Sequence, residues 1–299
     1  MNITTQKEVP TYYPVIEELG IPNPVCSLIR SKAGVSLYRV KSEEKNLILK
    51  VFEHPEDTRE IQNYRILSKL NIPTLPLLCH TKNAILLPDI AFSDEYRLGE
   101  ERDLSNPNVA KAIANWYKIL HEKGETYLSD CNASKVPMYD ESDLVTADNM
   151  KFLAEKSDTA GKQLWNLFTE HNTIIRNRIN ALPRTLTYND FYWTNLIVSK
   201  NGQHAFMFDY NLLGKGIRYA DVRNVTSSLS PEAADAFLQE YGNPGSEEQE
   251  KADAFLSPLV TLILAYRQET FPSWAKASLE ELKNGAILRH LQEWLTFQV

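Results

Sequence analysis

The segment from Thr187 to Tyr210, T-Y-N-D-F-Y-W-T-N-L-I-V-S-K-N-G-Q-H-A-F-M-F-D-Y, constrains the fold of this chain more than any other. Two apolar runs, Leu196-Ile197-Val198 and Ala205-Phe206-Met207-Phe208, have strand character, and Asn201-Gly202 between them suits a two-residue type I′ turn. Such a turn sets a register. With Lys200 opposite Gln203, Asn195 faces Phe208 and Thr194 faces Asp209. Asn195 and Asp209 then meet at the open end of the hairpin, where an amide oxygen and a carboxylate can ligate a hard cation such as Mg²⁺. Asp190 precedes them. In phosphoryl transfer, a carboxylate ahead of a metal-binding asparagine orients the attacking hydroxyl and accepts its proton. Any one of these residues alone reads as a turn or cap. D-x-x-x-x-N, then a hairpin ending in Asp, then a Gly214-Lys215-Gly216 loop is a far rarer combination.

A phosphoryl-transfer site also needs a lysine on a strand and a glutamate on the following helix. Asn46-Leu47-Ile48-Leu49-Lys50-Val51-Phe52 reads as a buried strand with one cation in its middle. A buried ammonium needs an anionic partner. The next helix, expected from about Pro55 to Leu70, supplies one. Tyr64 and Leu67, with Ile61 and Leu70 to the sides, form its inward stripe, and Glu60 falls near the centre of that stripe. A buried ion pair that merely organises a small domain is the alternative for Lys50 and Glu60, and it weakens once Asp190, Asn195 and Asp209 follow in order.

With these residues in place, the chain resembles the aminoglycoside phosphotransferase and choline kinase family, small-molecule kinases built on the protein-kinase fold. The resemblance covers most of the chain. It implies an α+β, two-lobe architecture: a small antiparallel-sheet lobe with one helix over 1–88 and a larger, mainly helical lobe over 89–299. It further implies that Lys50 holds the phosphates of ATP, Glu60 holds Lys50, Asp190 is the catalytic base, and Asn195 and Asp209 ligate Mg²⁺. Ile119-Leu120-His121 and the Gly216–Asp221 segment are further family-like features, with Asp221 structural.

Two positions depart from the family pattern. The catalytic loop reads Tyr188-Asn189-Asp190 where His-Gly-Asp is usual. Asn tolerates positive φ better than most residues other than glycine, and a Tyr hydroxyl can hydrogen-bond backbone as an imidazole does. The phosphate-covering loop, Ser31 to Ser36, carries a single glycine, Gly34, so an ordinary hairpin turn is an equal reading there. Pro88-Asp89-Ile90 has the place of the hinge. Pro88 has no N–H to offer adenine, so Asp89 or Ile90 must supply any donor. A protein kinase is the nearest competing class, but its signatures are missing, with no His-Arg-Asp, no Phe-Gly after Asp209 and no Ala-Pro-Glu, so a small-molecule acceptor is expected.

Composition narrows the partners. A formal charge of −7 argues against nucleic acid and permits a cationic substrate. Three cysteines, Cys26, Cys79 and Cys131, lack metal-binding spacing and fit a reducing compartment. No signal-like segment precedes Glu8, and the apolar stretch near Leu259–Tyr266 is too short to span a bilayer, so the expected location is the cytoplasm, with no membrane partner. The histidines show no ligand spacing, and exposed or locally hydrogen-bonded roles are expected of them.

Along the chain, strands are expected around Ser27–Phe52, at Leu75–Leu78 and at Ala84–Leu87. A helix with Val109, Ile113, Trp116 and Leu120 on one stripe should end at Gly124. Another, near 161–182, should bury Leu164, Leu167, Phe168, Ile174, Ile175 and Ile179. Ser230-Pro231 and a Ser246-to-Gln249 capping box mark two later helix starts, and these helices should wall the acceptor pocket. The acidic clusters around Glu247 and Glu100 read as solvated faces. The function expected is therefore phosphorylation of a hydroxyl on a small molecule, with ATP and Mg²⁺. Aminoglycoside-like antibiotics lead as acceptors, and choline, amino alcohols, sugars and macrolides stay open. The rival is a catalytically silent nucleotide-binding protein.

Overall fold

The computed structural model describes residues 12–42, 45–130 and 136–298, so Cys131 and the segment up to Glu8 lie outside the described residues. The chain divides into two compact units. The first runs up to Trp116 and takes in Tyr192–Leu212; the second comprises Tyr117–Phe191 and the chain from Leu213 onward.

In the first unit a short helix α1 (Tyr13–Glu18) precedes a meander of β1 (Val25–Lys32), β2 (Val35–Ser42) and β3 (Lys45–Phe52). Helix α2 (Arg59–Lys69) leads to β4 (Cys79–His80) and β5 (Ala84–Pro88), completing an antiparallel sheet of order β1-β2-β3-β5-β4. Val40, Leu49 and Leu86 on one sheet face pack with Val15 and Ile16 of α1. The expected helix from Pro55 begins as a 3-10 turn, Pro55–Thr58, and becomes α-helical only at Arg59. The expected strand at Leu75–Leu78 is not formed. Pro73 and Pro76 remove two ladder donors, and pairing starts only with the Leu78 amide, which donates to the Leu86 carbonyl at 3.0 Å.

Strand β6 (Tyr96–Leu98) pairs with β8 (Leu196–Ser199), which pairs in turn with β9 (Ala205–Met207). That ladder is why Tyr192–Leu212 joins the first unit. The β8/β9 register is the expected one, Leu196 to Met207 and Val198 to Ala205. The turn differs from expectation. Gly202 alone of the turn residues has positive φ, and its amide donates to the Ser199 carbonyl at 2.8 Å, so Lys200 and Asn201 form the centre of an ordinary turn within a four-residue loop. The Asn201 side chain explains the choice: its Oδ1 accepts from both the Ser199 hydroxyl and the Gln203 amide, stabilising the longer loop.

Helix α3 (Pro107–Ser129) continues into the second unit, where α4 (Ala147–Lys156), α5 (Gln163–Ala181) and strand β7 (Thr185–Thr187) follow. Beyond the hairpin come β10 (Gly214–Gly216), α6 (Arg218–Thr226), α7 (Pro231–Tyr241), α8 (Glu247–Tyr266), α9 (Lys276–Lys283) and α10 (Ala286–Thr296). Phe168, Ile175, Phe255, Leu259 and Trp294 anchor the core of this unit. Ile174, expected inside, is 56% exposed because it falls on the outer side of α5. Gly124 does not end α3; it lies inside the helix, where a Cβ would collide with the Leu186 backbone of β7. Gly214-Lys215-Gly216 is a strand paired with Thr185–Thr187, not a loop, and a Cβ on Gly214 would meet the Tyr139 carbonyl. Ser246 caps α8 by accepting from the Gln249 amide, but the capping box is half formed, since the Gln249 side chain donates to the Pro183 carbonyl instead.

Candidate active site

In the first unit, alternation along β3 turns Ile48 and Lys50 to the sheet face opposite the α1-packed one. The Lys50 ammonium sits 2.5 Å from Glu60 of α2 and 2.8 Å from Asp209, which follows β9. Side-chain exposure falls to 8% at Lys50 and 1% at Glu60, against 29% at Asp209, so only Asp209 presents substantial surface to a ligand. Burial opposes charge on Lys50, yet the two carboxylates outweigh it and raise its pKa. Burial likewise pushes Glu60 up, to about 7, against the pull of Lys50 and with Asp209 adding repulsion.

Asp209 adopts φ +62°, uncommon for a side chain other than glycine. Helix α2 holds the next residue on both sides: the Tyr210 amide donates to Glu60 at 3.3 Å, and Asn63 Nδ2 donates to the Tyr210 carbonyl at 2.6 Å. Asn63, one turn beyond Glu60 on the same inward face, is a positioning residue that sequence reasoning missed; its signal was a polar residue at i+3 inside an apolar stripe. Asn195 ends a 3-10 turn, Trp193–Asn195, and its carbonyl accepts from the Phe208 amide at 3.0 Å, one residue before Asp209.

A cavity of about 260 Å³ opens beside this cluster. Leu37, Ile48, Leu87 and Phe208 give it apolar walls, Lys50, Glu60 and Asp209 mark its polar end, and Pro88, Asp89, Ile90 and Ala91 line another part. Ser31 and Gly34 are not among its lining residues. Ala33 and Gly34, at φ +50° and +75°, form a tight two-residue turn closing β1 to β2. Gly34 is required there twice over, by its φ and by the His54 ring that a Cβ would strike. The Ser31 hydroxyl meets that of Ser36 at 2.9 Å.

Among the described residues no cluster of three His, Cys, Asp or Glu forms a self-sufficient metal cage. The side chains of Asn195 and Asp209 each carry an oxygen of the hard kind that Mg²⁺ takes, an ion that keeps waters and phosphate oxygens in its remaining positions.

In the second unit, Asp190 lies in the loop after β7 and is partly exposed. The backbone before it is held by Asp221 of α6, whose carboxylate accepts from the Tyr188 amide at 2.7 Å and the Asn189 amide at 2.9 Å. Asn189 takes φ +65°. Tyr188 is fully buried beside Tyr117, with ring centroids 6.4 Å apart. His121, also fully buried, reaches Asp221 through Nε2 at 3.1 Å and the Tyr241 hydroxyl through Nδ1 at 2.6 Å. A carboxylate only accepts, so Nε2 carries the hydrogen of the contact with Asp221. A small cavity of about 40 Å³ is lined by Asn189, Asp140, Glu141 and Lys215 on one part and by Ile179, Leu182 and Leu256 on another. Desolvation pushes Glu141 up to about 7, against the pull of Arg223.

The profile of the Phosphotransferase enzyme family matches residues 25–255. No curated protein sequence matches the chain. Among solved structures, an ADP-bound aminoglycoside phosphotransferase is similar at TM-score 0.60 and 16% identity, over 96% of this chain and 98% of its own. A choline kinase from Streptococcus pneumoniae is similar at TM-score 0.59 and 12% identity, over 95% and 98%. An ethanolamine kinase from Plasmodium vivax is similar at TM-score 0.56 and 16% identity, over 92% and 85%. At these identities the likeness establishes the fold, a kinase-like α+β architecture.

Proposed function

The chain belongs to the Phosphotransferase enzyme family, and from that premise we propose that it is an ATP- and Mg²⁺-dependent kinase acting in the cytoplasm on a hydroxyl of a small molecule, with an aminoglycoside-like acceptor first in line. The observation that carries this reading is the buried Lys50–Glu60 pair completed by a partly exposed Asp209 at the polar end of an apolar cavity. A planar base fits apolar walls, and phosphates need the cation. In this reading Lys50 offsets negative charge on the phosphates, Glu60 fixes Lys50, and Asp190 accepts the proton of the acceptor hydroxyl at a carboxylate oxygen as the new O–P bond forms and ADP leaves. Mg²⁺ held by Asn195 and Asp209 would neutralise charge on the phosphate oxygens.

The similar structures include kinases of choline and ethanolamine and phosphotransferases of macrolides and aminoglycosides. Choline, amino alcohols, sugars and macrolides therefore stand as alternative acceptors, because acceptor choice in a shared fold rests on its variable walls. A catalytically silent nucleotide binder is favoured only by Tyr188-Asn189 in place of His-Gly. The Asp221 anchor and the positive φ of Asn189 weigh against it, since both keep the loop before Asp190 in a defined shape. ADP release from Mg²⁺-ATP across aminoglycosides, choline, amino alcohols, sugars and macrolides is the test. Turnover with one acceptor class is expected; binding of Mg²⁺-ATP without turnover on any of them would favour the silent binder.

A further inference from the structure

We propose, on the kinase reading above in which Asp209 ligates Mg²⁺, that Asn63 of α2 is a positioning residue for the metal. By holding the Tyr210 carbonyl it keeps Asp209 in its left-handed conformation, and that conformation sets the Mg²⁺ affinity of the site.

An aspartate can visit φ near +60°, but the right-handed region is preferred, and the strained form persists where the surrounding structure over-determines it. At Asp209, with φ +62°, both neighbours do so. On one side the Phe208 amide donates to the Asn195 carbonyl at 3.0 Å. On the other, Tyr210 is fully buried and held at three polar groups. Its amide donates to Glu60 Oε1 at 3.3 Å, its carbonyl accepts from Asn63 Nδ2 at 2.6 Å, and its hydroxyl donates to the Met207 carbonyl. The Tyr64 and Tyr210 rings meet edge-on, with centroids 4.9 Å apart. Glu60, Asn63 and Tyr64 all belong to α2, so the helix that fixes Lys50 also fixes the residue after Asp209.

Of the two bonds from α2 to the Tyr210 backbone, that of Asn63 is the shorter, and Glu60 cannot stand in for it, because a carboxylate only accepts. Asn63 is buried and is not among the residues lining the cavity, so it acts through Asp209 and not on a ligand. Without its donor the Tyr210 peptide is free to turn and Asp209 relaxes toward negative φ. That relaxation swings the Cα–Cβ bond, and with it the carboxylate now set 2.8 Å from Lys50. Mg²⁺ demands near-octahedral oxygens at about 2.0–2.1 Å, so a swung carboxylate loses the ion. Partners that orient a ligating group are worth about 10- to 100-fold in metal affinity.

The test measures ATP dissociation constants on the full chain over a Mg²⁺ series and in excess EDTA, below the melting temperature of each ligand-free protein. In wild type, ATP binding should tighten as Mg²⁺ is added. Asn63→Ala should raise the Mg²⁺ concentration that gives half of that tightening by about tenfold or more, while ATP affinity in EDTA stays as in wild type, because Lys50 and the cavity walls are untouched. Asn63→Ser, which keeps a polar group in the buried position, reads the same shift if the alanine variant folds poorly. A lower melting temperature with an unmoved Mg²⁺ midpoint would make Asn63 merely structural and overturn the inference, as would an equal loss of ATP affinity with and without Mg²⁺. Both results leave the kinase reading intact. Wild-type ATP binding that ignores Mg²⁺, or no ATP binding at all, would overturn both.

Discussion

Glu60 sets burial against pairing. Desolvation disfavours its carboxylate, Lys50 favours it, and the balance leaves the folded-state pKa raised from 4.5 to about 7. The folded protein therefore binds more protons at this position than the unfolded chain between those values, so the contribution of Glu60 to stability is complete below pH 4.5 and declines as pH rises through about 7. Glu60→Gln should flatten the pH dependence of melting temperature across that window, as thermal denaturation at a series of pH values would record; an unchanged slope would assign the dependence elsewhere. Asn189 offers a second test at this scale. Its φ of +65° costs an alanine about 1 kcal/mol or more, whereas glycine takes it freely. Asn189→Ala should lower chemical-denaturation stability by about that amount, and Asn189→Gly should not share this left-handed penalty.

Among the elements, Gly124 inverts the usual ranking. In an exposed helix interior, Gly→Ala gains about 1 kcal/mol. Within α3 a Cβ at 124 would sit 2.7 Å from Leu186 Cβ and from Thr185 Oγ1. Gly124→Ala should therefore destabilise, read as a lower denaturant midpoint; stabilisation would show that β7 yields freely. The same position shows where sequence reading stopped. A glycine near the end of an apolar stripe has the signature of a helix terminus, and nothing local announces a strand packed against it some sixty residues later. Where the signal was local it held: the apolar run around Lys50 that marks a buried strand, the inward stripe of α2 with Glu60 at its centre, and the β8/β9 register all emerge from short windows. Where partners are remote it failed. The Arg39–Asp89 ion pair spans fifty positions, the Asn63–Tyr210 bond spans 147, and short β6 is defined only by pairing with β8. The G-K-G strand escaped for a related reason, because glycine has weak strand propensity and is chosen there for close approach to Tyr139.

For the molecule as a whole, the described helices include none long and apolar enough to cross a membrane, and the −7 net charge accords with a small-molecule acceptor rather than nucleic acid. A nucleotide that binds only the folded chain must raise its melting temperature with concentration. Mg²⁺-ATP should do so in wild type and much less in Lys50→Met, where a cavity-lining cation is lost; equal shifts in both would remove Lys50 from the nucleotide site. The most direct measurement is steady-state ADP release from Mg²⁺-ATP with the acceptor identified by the panel, comparing wild type with Asp190→Asn and Asp209→Asn. General-base loss predicts a fall in kcat of about 10²–10⁴ for Asp190→Asn with Mg²⁺-ATP affinity retained, and Asp209→Asn should abolish turnover and make ATP binding less dependent on Mg²⁺. Undiminished turnover in Asp190→Asn would contradict the assignment of this chain's chemistry to the Asp190–Asn195–Asp209 motif.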